Sequence, residues 1–180
     1  RDSGNTTLLK EWPGGVLVIS GANSGASLRS MPAKYLFADE VDAYPTDLDD
    51  EGDPLGLAEA RTSTFADRKV FLCSTPTIAS LSVIAREYEA SDQRRYHVPC
   101  PHCGHAQTLE WDHLHWPDGR PLEAVYVCVE CGAEIQEHHK AAMLAQGAWI
   151  AGHPDRAIAG FHINALYTPI GLGLSWGELA

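Results

Sequence analysis

Three short apolar runs divide the first half of the chain. Residues 16–20 (Val-Leu-Val-Ile-Ser), 35–38 (Tyr-Leu-Phe-Ala) and 70–74 (Val-Phe-Leu-Cys-Ser) are rich in β-branched and aromatic side chains. Their length and chemistry predict strands. The first follows a turn signal, Trp12-Pro13-Gly14-Gly15, and ends at Gly21 before a small-residue loop over 21–30. Asp53-Pro54 predicts a helix start, with Asp as N-cap and Pro at the first helical position, and Leu57, Ala58, Arg61 and Phe65 keep helical spacing. Residues 78–90 predict a second helix with Leu81, Ile84, Ala85 and Tyr88 on one face. Apolar runs without alternation, separated by loop or helix, predict a mostly parallel α/β sheet buried on both faces.

The pattern changes near Ser91. From residue 94 to 135 it becomes cysteines, histidines, Pro/Gly turns and short strand candidates. Residues 137–146 predict a helix closed by Gly147, and 149–150 and 158–166 predict further strands. Pro169 to Gly173 reads as a turn, with a helix around Trp176. The expected organisation is therefore three segments: 1–93, 94–135 and 136–180. No apolar run reaches the roughly 18–20 residues needed to span a bilayer. The chain opens on Arg rather than Met and has no signal peptide, so it reads as a piece whose N-terminus lies upstream.

Charge narrows the role of the middle segment. The whole chain carries a formal net charge of -11. Residues 95–135 contain only Arg95 and Arg120 against six carboxylates, Glu110, Asp112, Asp118, Glu123, Glu130 and Glu134. A surface that grips DNA phosphates is normally basic, so this segment reads as structural or protein-facing.

Four of the five cysteines form two matching knuckles, Cys100-Pro101-His102-Cys103-Gly104 and Cys128-Val129-Glu130-Cys131-Gly132. Each offers two thiolates from a tight turn. Together Cys100, Cys103, Cys128 and Cys131 make the closed tetrahedral set of a structural Zn²⁺, with no open position for catalysis. The spacer strands Leu109-Glu110-Trp111 and 124–127 are expected to pair in a zinc ribbon. His102 and His105 could substitute as ligands but read as solvated side chains on the knuckle. Cys73, in the third apolar run, reads as a small buried hydrophobe.

The second apolar run ends in Asp39-Glu40, followed by Val41-Asp42. An apolar strand that delivers two carboxylates to the C-terminal edge of a sheet is the Walker B pattern. Asp39 would then hold Mg²⁺ through water, and Glu40 would orient and deprotonate the attacking water. The third run ends in Ser74-Thr75-Pro76, whose hydroxyls are placed to sense a γ-phosphate. Residues 39–53 hold eight carboxylates and no base, and those beyond Asp42 read as a solvated loop. No GxxxxGK[ST] phosphate loop is present, and the glycines of 21–25 lack its Lys.

Six segments taken together resemble the large subunit of a lambda-like tailed-phage terminase. They are Leu28-Arg29-Ser30, Asp39-Glu40-Val41-Asp42, Ser74-Thr75-Pro76-Thr77, the two knuckles, and Gly-Phe-His-Ile-Asn-Ala-Leu-Tyr at 160–167. The resemblance implies a RecA-like ATPase core in 1–93, a zinc ribbon in 94–135 and a lead into a nuclease domain in 136–180. It implies an ATP-driven motor that packages double-stranded viral DNA into procapsids and cuts concatemers in the host cytoplasm. Its partners would be the small subunit, the portal and further copies of itself in a ring. Asp39 and Glu40 take the Mg²⁺ and base roles, Ser74 and Thr75 contact nucleotide in the coupling motif, and Arg29 is a candidate arginine finger. With the phosphate loop and the nuclease carboxylates lacking, the piece alone is expected to be inactive. Two rival readings stay open: a helicase-like ATPase with a zinc insertion, and a zinc-stabilised interaction module without catalysis.

Overall fold

A computed structural model describes residues 5–23, 25, 28, 31–48, 52–78 and 80–180. The chain divides into two compact units, Arg1–Arg86 and Glu87–Ala180. No helix among the described residues is long and apolar enough to cross a membrane.

The first unit opens with a hairpin. Strand β1 (Leu9–Trp12) pairs antiparallel with β2 (Gly15–Val18) across a tight turn, where Gly14 takes φ +92°. A side chain at Gly14 would be strained in that left-handed region. The first apolar run therefore does not join the parallel sheet expected of it. The preceding Leu9–Trp12 segment supplies its partner, and Val16, Leu17 and Val18 stay exposed.

The other two runs behave as the pattern predicts. Strand β3 (Tyr35–Asp39) and β4 (Lys69–Cys73) are parallel, in register from Tyr35 opposite Lys69 to Asp39 opposite Cys73. The crossover carries helix α1 (Pro54–Ala60), whose cap is Asp53, accepting from the Leu55 and Gly56 amides at 3.0 and 2.8 Å. Helix α2 (Val83–Ala90) starts five residues later than the sequence suggests. Ser82 caps it by accepting from the Ala85 amide at 3.0 Å, while the Leu81 amide donates to the Ile78 carbonyl at 2.8 Å and Leu81 is exposed.

Ala38, Val41 and Leu55 form the core of this unit, packed by Leu72, Val83 and Ile84. They lie on one face of β3–β4. On the other, Phe37 and Phe71 pair with ring centroids 6.2 Å apart, and both are exposed. The expected burial on both faces is not seen: the helices pack only on the Ala38 side, and no other described element covers the Phe37 side.

The second unit is built around β5 (Arg94–Pro99). Strands β6 (Ala106–Gln107) and β10 (Ala148–Ile150) pair with it antiparallel, and β11 (Phe161–His162) pairs parallel. A separate sheet joins β7 (Leu114–His115), β8 (Val125–Val127) and β9 (Glu134–Ile135). Residues 109–111 are not the expected partner of β8. The Tyr126 hydroxyl takes the place of strand pairing there, donating to the Thr108 carbonyl and accepting from the Glu110 amide.

The helix expected over 137–146 is a 3-10 turn (Glu137–His139) followed by α3 (Lys140–Ala145). Gly147 serves a different need from the cap expected of it: a Cβ there would lie 2.5 Å from the Tyr96 ring. Of residues 158–166 only β11 is a strand, and Asn164 caps a 3-10 turn over Ala165–Tyr167. Helix α4 (Trp176–Leu179) starts on a Ser175/Glu178 capping box. One core runs through the unit from Val98, Leu109 and Tyr126 to Met143, Tyr167 and Trp176.

Candidate functional site

Parallel pairing brings the ends of β3 and β4 together, and with them the residues singled out in the sequence. Asp39 is the last residue of β3 and is exposed beside Cys73. Glu40, next along, adopts the left-handed conformation (φ 54°, ψ 47°). A non-glycine residue held there costs on the order of 1–2 kcal/mol, and such outliers cluster at functional sites. Here the turn ends the strand and leaves the Glu40 side chain exposed next to Asp39.

Cys73 is not the buried hydrophobe expected from the sequence. It is half-buried, and its thiol donates to Asp39 Oδ1 at 3.1 Å. That hydrogen bond, with burial and the Asp39 charge, pushes the thiol pKa up and keeps the donor protonated. The Tyr44 hydroxyl is likewise pushed up, by burial and then by the Asp39 charge.

Asp42 ties the two strand ends together. Its backbone amide donates to Ser74 Oγ at 3.2 Å. Its carboxylate accepts from the Thr77 amide (3.0 Å), the Thr77 hydroxyl (3.2 Å) and the Ile84 amide (2.9 Å). Burial alone would raise its pKa, but the Ser82 hydroxyl and the Ile84 and Thr77 donors outweigh it and hold the carboxyl at about 2. The sequence offered Asp42 only as a third acid in a row, since its partners lie 32 to 42 residues away. Thr75 lies in the exposed loop after β4, beside Ser74. Arg29 lies outside the described residues. Exposed carboxylates at the C-terminal edge of a parallel strand pair are hard oxygen donors of the kind Mg²⁺ takes.

The second constellation lies in the other unit. The Sγ atoms of Cys100, Cys103, Cys128 and Cys131 all fall within 4.8 Å of one another. Cys100 and Cys131 are 4.0 Å apart, and Cys103 and Cys128 are 3.8 Å apart. Four sulfurs about 2.3 Å from one Zn²⁺ in a tetrahedron would be separated by about 3.8 Å. The donor set and its spacing therefore fit zinc.

The knuckles are shaped by backbone. Gly104 (φ +77°) and Gly132 (φ +70°) close the turns, donating to the Cys100 and Cys128 carbonyls at 2.9 and 3.0 Å. At Cys128 burial opposes ionisation, but the Cys131 and Glu130 amides win and lower the pKa to about 6. At Cys103 the His105 amide favours the thiolate, yet burial and the neighbouring sulfurs raise the pKa to about 12. His102 is engaged outside the sulfur set, its Nε2 lying 3.2 Å from the Glu134 carbonyl oxygen. Gln107 was missed in the sequence: it is buried, and its Oε1 accepts from the Val129 amide at 3.0 Å, bracing the second knuckle.

Comparison with known proteins bears on both constellations. The family model for the phage terminase large subunit gpA, ATPase domain, matches residues 1–149. The terminase large subunit of Enterobacteria phage P21 is 29% identical over 193 residues, covering 92% of this chain and 30% of that protein. The terminase large subunit of Escherichia phage lambda is 28% identical over 124 residues, covering 65% of this chain and 19% of its own length. The chain thus spans less than a third of either relative. No solved structure matches it. With a family match over most of its length, the chain belongs to the ATPase domain family of phage terminase large subunits.

Proposed function

We propose that this chain supplies the carboxylate end and the coupling loop of an ATP-driven DNA-packaging motor. The observation that carries the reading is the meeting of Asp39, Glu40 and Ser74 at the ends of two parallel strands, in a chain of the terminase ATPase family. Asp39 would hold Mg²⁺, which would supply neutralisation of charge on the phosphates of ATP. Glu40 orients the attacking water and takes its proton on a carboxylate oxygen. Ser74 and Thr75 face the nucleotide and report the loss of its terminal phosphate. Arg29 completes a neighbouring subunit's site.

The first 93 residues belong to a RecA-like core, residues 94–135 form a ribbon stabilised by one Zn²⁺, and 136–180 lead toward a nuclease domain. The whole protein packages double-stranded viral DNA in the host cytoplasm. It works as a homo-oligomeric ring with the small subunit and the portal, and cuts concatemers as an endonuclease. Asp39→Asn in the full-length protein tests the metal role: Mg²⁺-dependent ATP binding should weaken, while Mg²⁺-free nucleotide binding stays unchanged. Equal Mg²⁺ dependence in variant and wild type would remove Asp39 from the site.

A further inference from the structure

Asp42 stands outside the chemistry assigned above, yet its carboxylate and amide make four hydrogen bonds. One carboxylate oxygen accepts from the Ile84 amide in the first turn of α2. The other accepts from both the amide and the hydroxyl of Thr77. Its own amide donates to Ser74 Oγ. Four hydrogen bonds thus bind one residue to two other segments, and Val41 beside it is buried in the core.

We propose that Asp42 is a positioning residue that locks the Asp39–Glu40 strand end to the Ser74–Thr77 loop, so that events at the carboxylates are transmitted to that loop and to α2. The inference rests on the proposed ATPase site and assigns Asp42 no contact with nucleotide. Geometry supports a latch. Glu40 is a left-handed corner, and Asp42 is two residues beyond it. A turn of that corner in response to nucleotide would carry the Asp42 carboxylate with it. Thr77 and the Ile84 amide would then have to follow or lose charge-assisted hydrogen bonds, the stronger kind. An amide in place of the carboxylate offers one acceptor and presents an NH₂ group to one of two donors, so one connection must break.

The test uses full-length protein in a packaging assay and reads ATP hydrolysed per base pair packaged. That ratio does not depend on the fraction of active protein, so a merely structural defect leaves it unchanged. Asp42→Asn is expected to raise it about threefold or more, the scale of coupling between contacting residues. Thr77→Val, which removes only the hydroxyl donor, should raise it in the same direction by less. The double variant should be no worse than Asp42→Asn alone. If Asp42→Asn fails to fold, Thr77→Val carries the test by itself. A wild-type ratio in Thr77→Val, or in a folded Asp42→Asn, overturns the latch. Glu40→Gln in the same assay reports on the reading beneath it. If that variant hydrolyses ATP normally, the site assignment and the latch fall together. If it is inactive while the Asp42 and Thr77 ratios stay normal, the latch alone fails.

Discussion

Replacing Tyr167 by Phe removes one oxygen and keeps the ring. That oxygen accepts from the Leu109 amide at 2.6 Å and donates to the Tyr96 carbonyl at 2.7 Å. Leu109 is 1% exposed and Tyr167 is 6% exposed, so water cannot readily replace the lost partner. Leaving a buried donor unpaired costs about 1–3 kcal/mol, and the Tyr96 carbonyl adds a smaller loss because it is only partly buried. The expected destabilisation of the second unit is about 2–3 kcal/mol. Denaturant unfolding followed by tryptophan fluorescence reads it, with Trp176 reporting from the same core. Amide exchange at Leu109 should rise by more than at distant strands, because the loss is local. The urea midpoint should fall without a change in slope, since the surface exposed on unfolding is the same. A loss below about 0.5 kcal/mol, within the range of neutral surface substitutions, would refute the bracing role.

Two further outcomes follow from named contacts, and a third from the sequence. One zinc per chain is expected by elemental analysis, with thiol titration of the folded protein finding Cys73 alone. Five reactive thiols and no zinc would contradict the four-cysteine site. Asp42, held at about pKa 2 against an ordinary 3.8, stabilises the first unit above pH ~4, and this contribution is lost as pH falls through about 2. Discounted for partial exposure, it is worth about 1–2 kcal/mol. Asp42→Asn should therefore flatten the acid limb of a stability-versus-pH curve, and an unchanged limb would remove Asp42 as its cause. Arg29→Ala subunits of the full-length protein should bind ATP and hydrolyse it poorly, and mixing with Glu40→Gln subunits should restore part of the activity. Normal turnover by Arg29→Ala would end the finger role.

Local chemistry was legible in the sequence; remote partners were not. The two knuckles stand out because each pair of thiolates and its glycine lie within five residues. β3 and β4 were readable because continuous apolar runs have few alternatives. The hairpin was missed because Leu9–Trp12 alternates weakly with Lys10 and Glu11 and gives little strand signal. Asp42 looked like no more than a third acid after Asp39-Glu40 because three of its four hydrogen bonds come from residues 35 or 42 positions away. Tyr126 and Tyr167 are buried in the core of the second unit. Their hydroxyls fix segment 108–110 without strand pairing, and hydrophobic periodicity carries no trace of that.

If Asp39 and Glu40 form the working end of an ATPase, as proposed, ATP binding and hydrolysis by full-length Glu40→Gln show it most plainly. Nucleotide affinity should stay close to wild type, with turnover and DNA packaging reduced by about 10²-fold or more through loss of the base. Hydrolysis near the wild-type rate would remove Glu40 from that role.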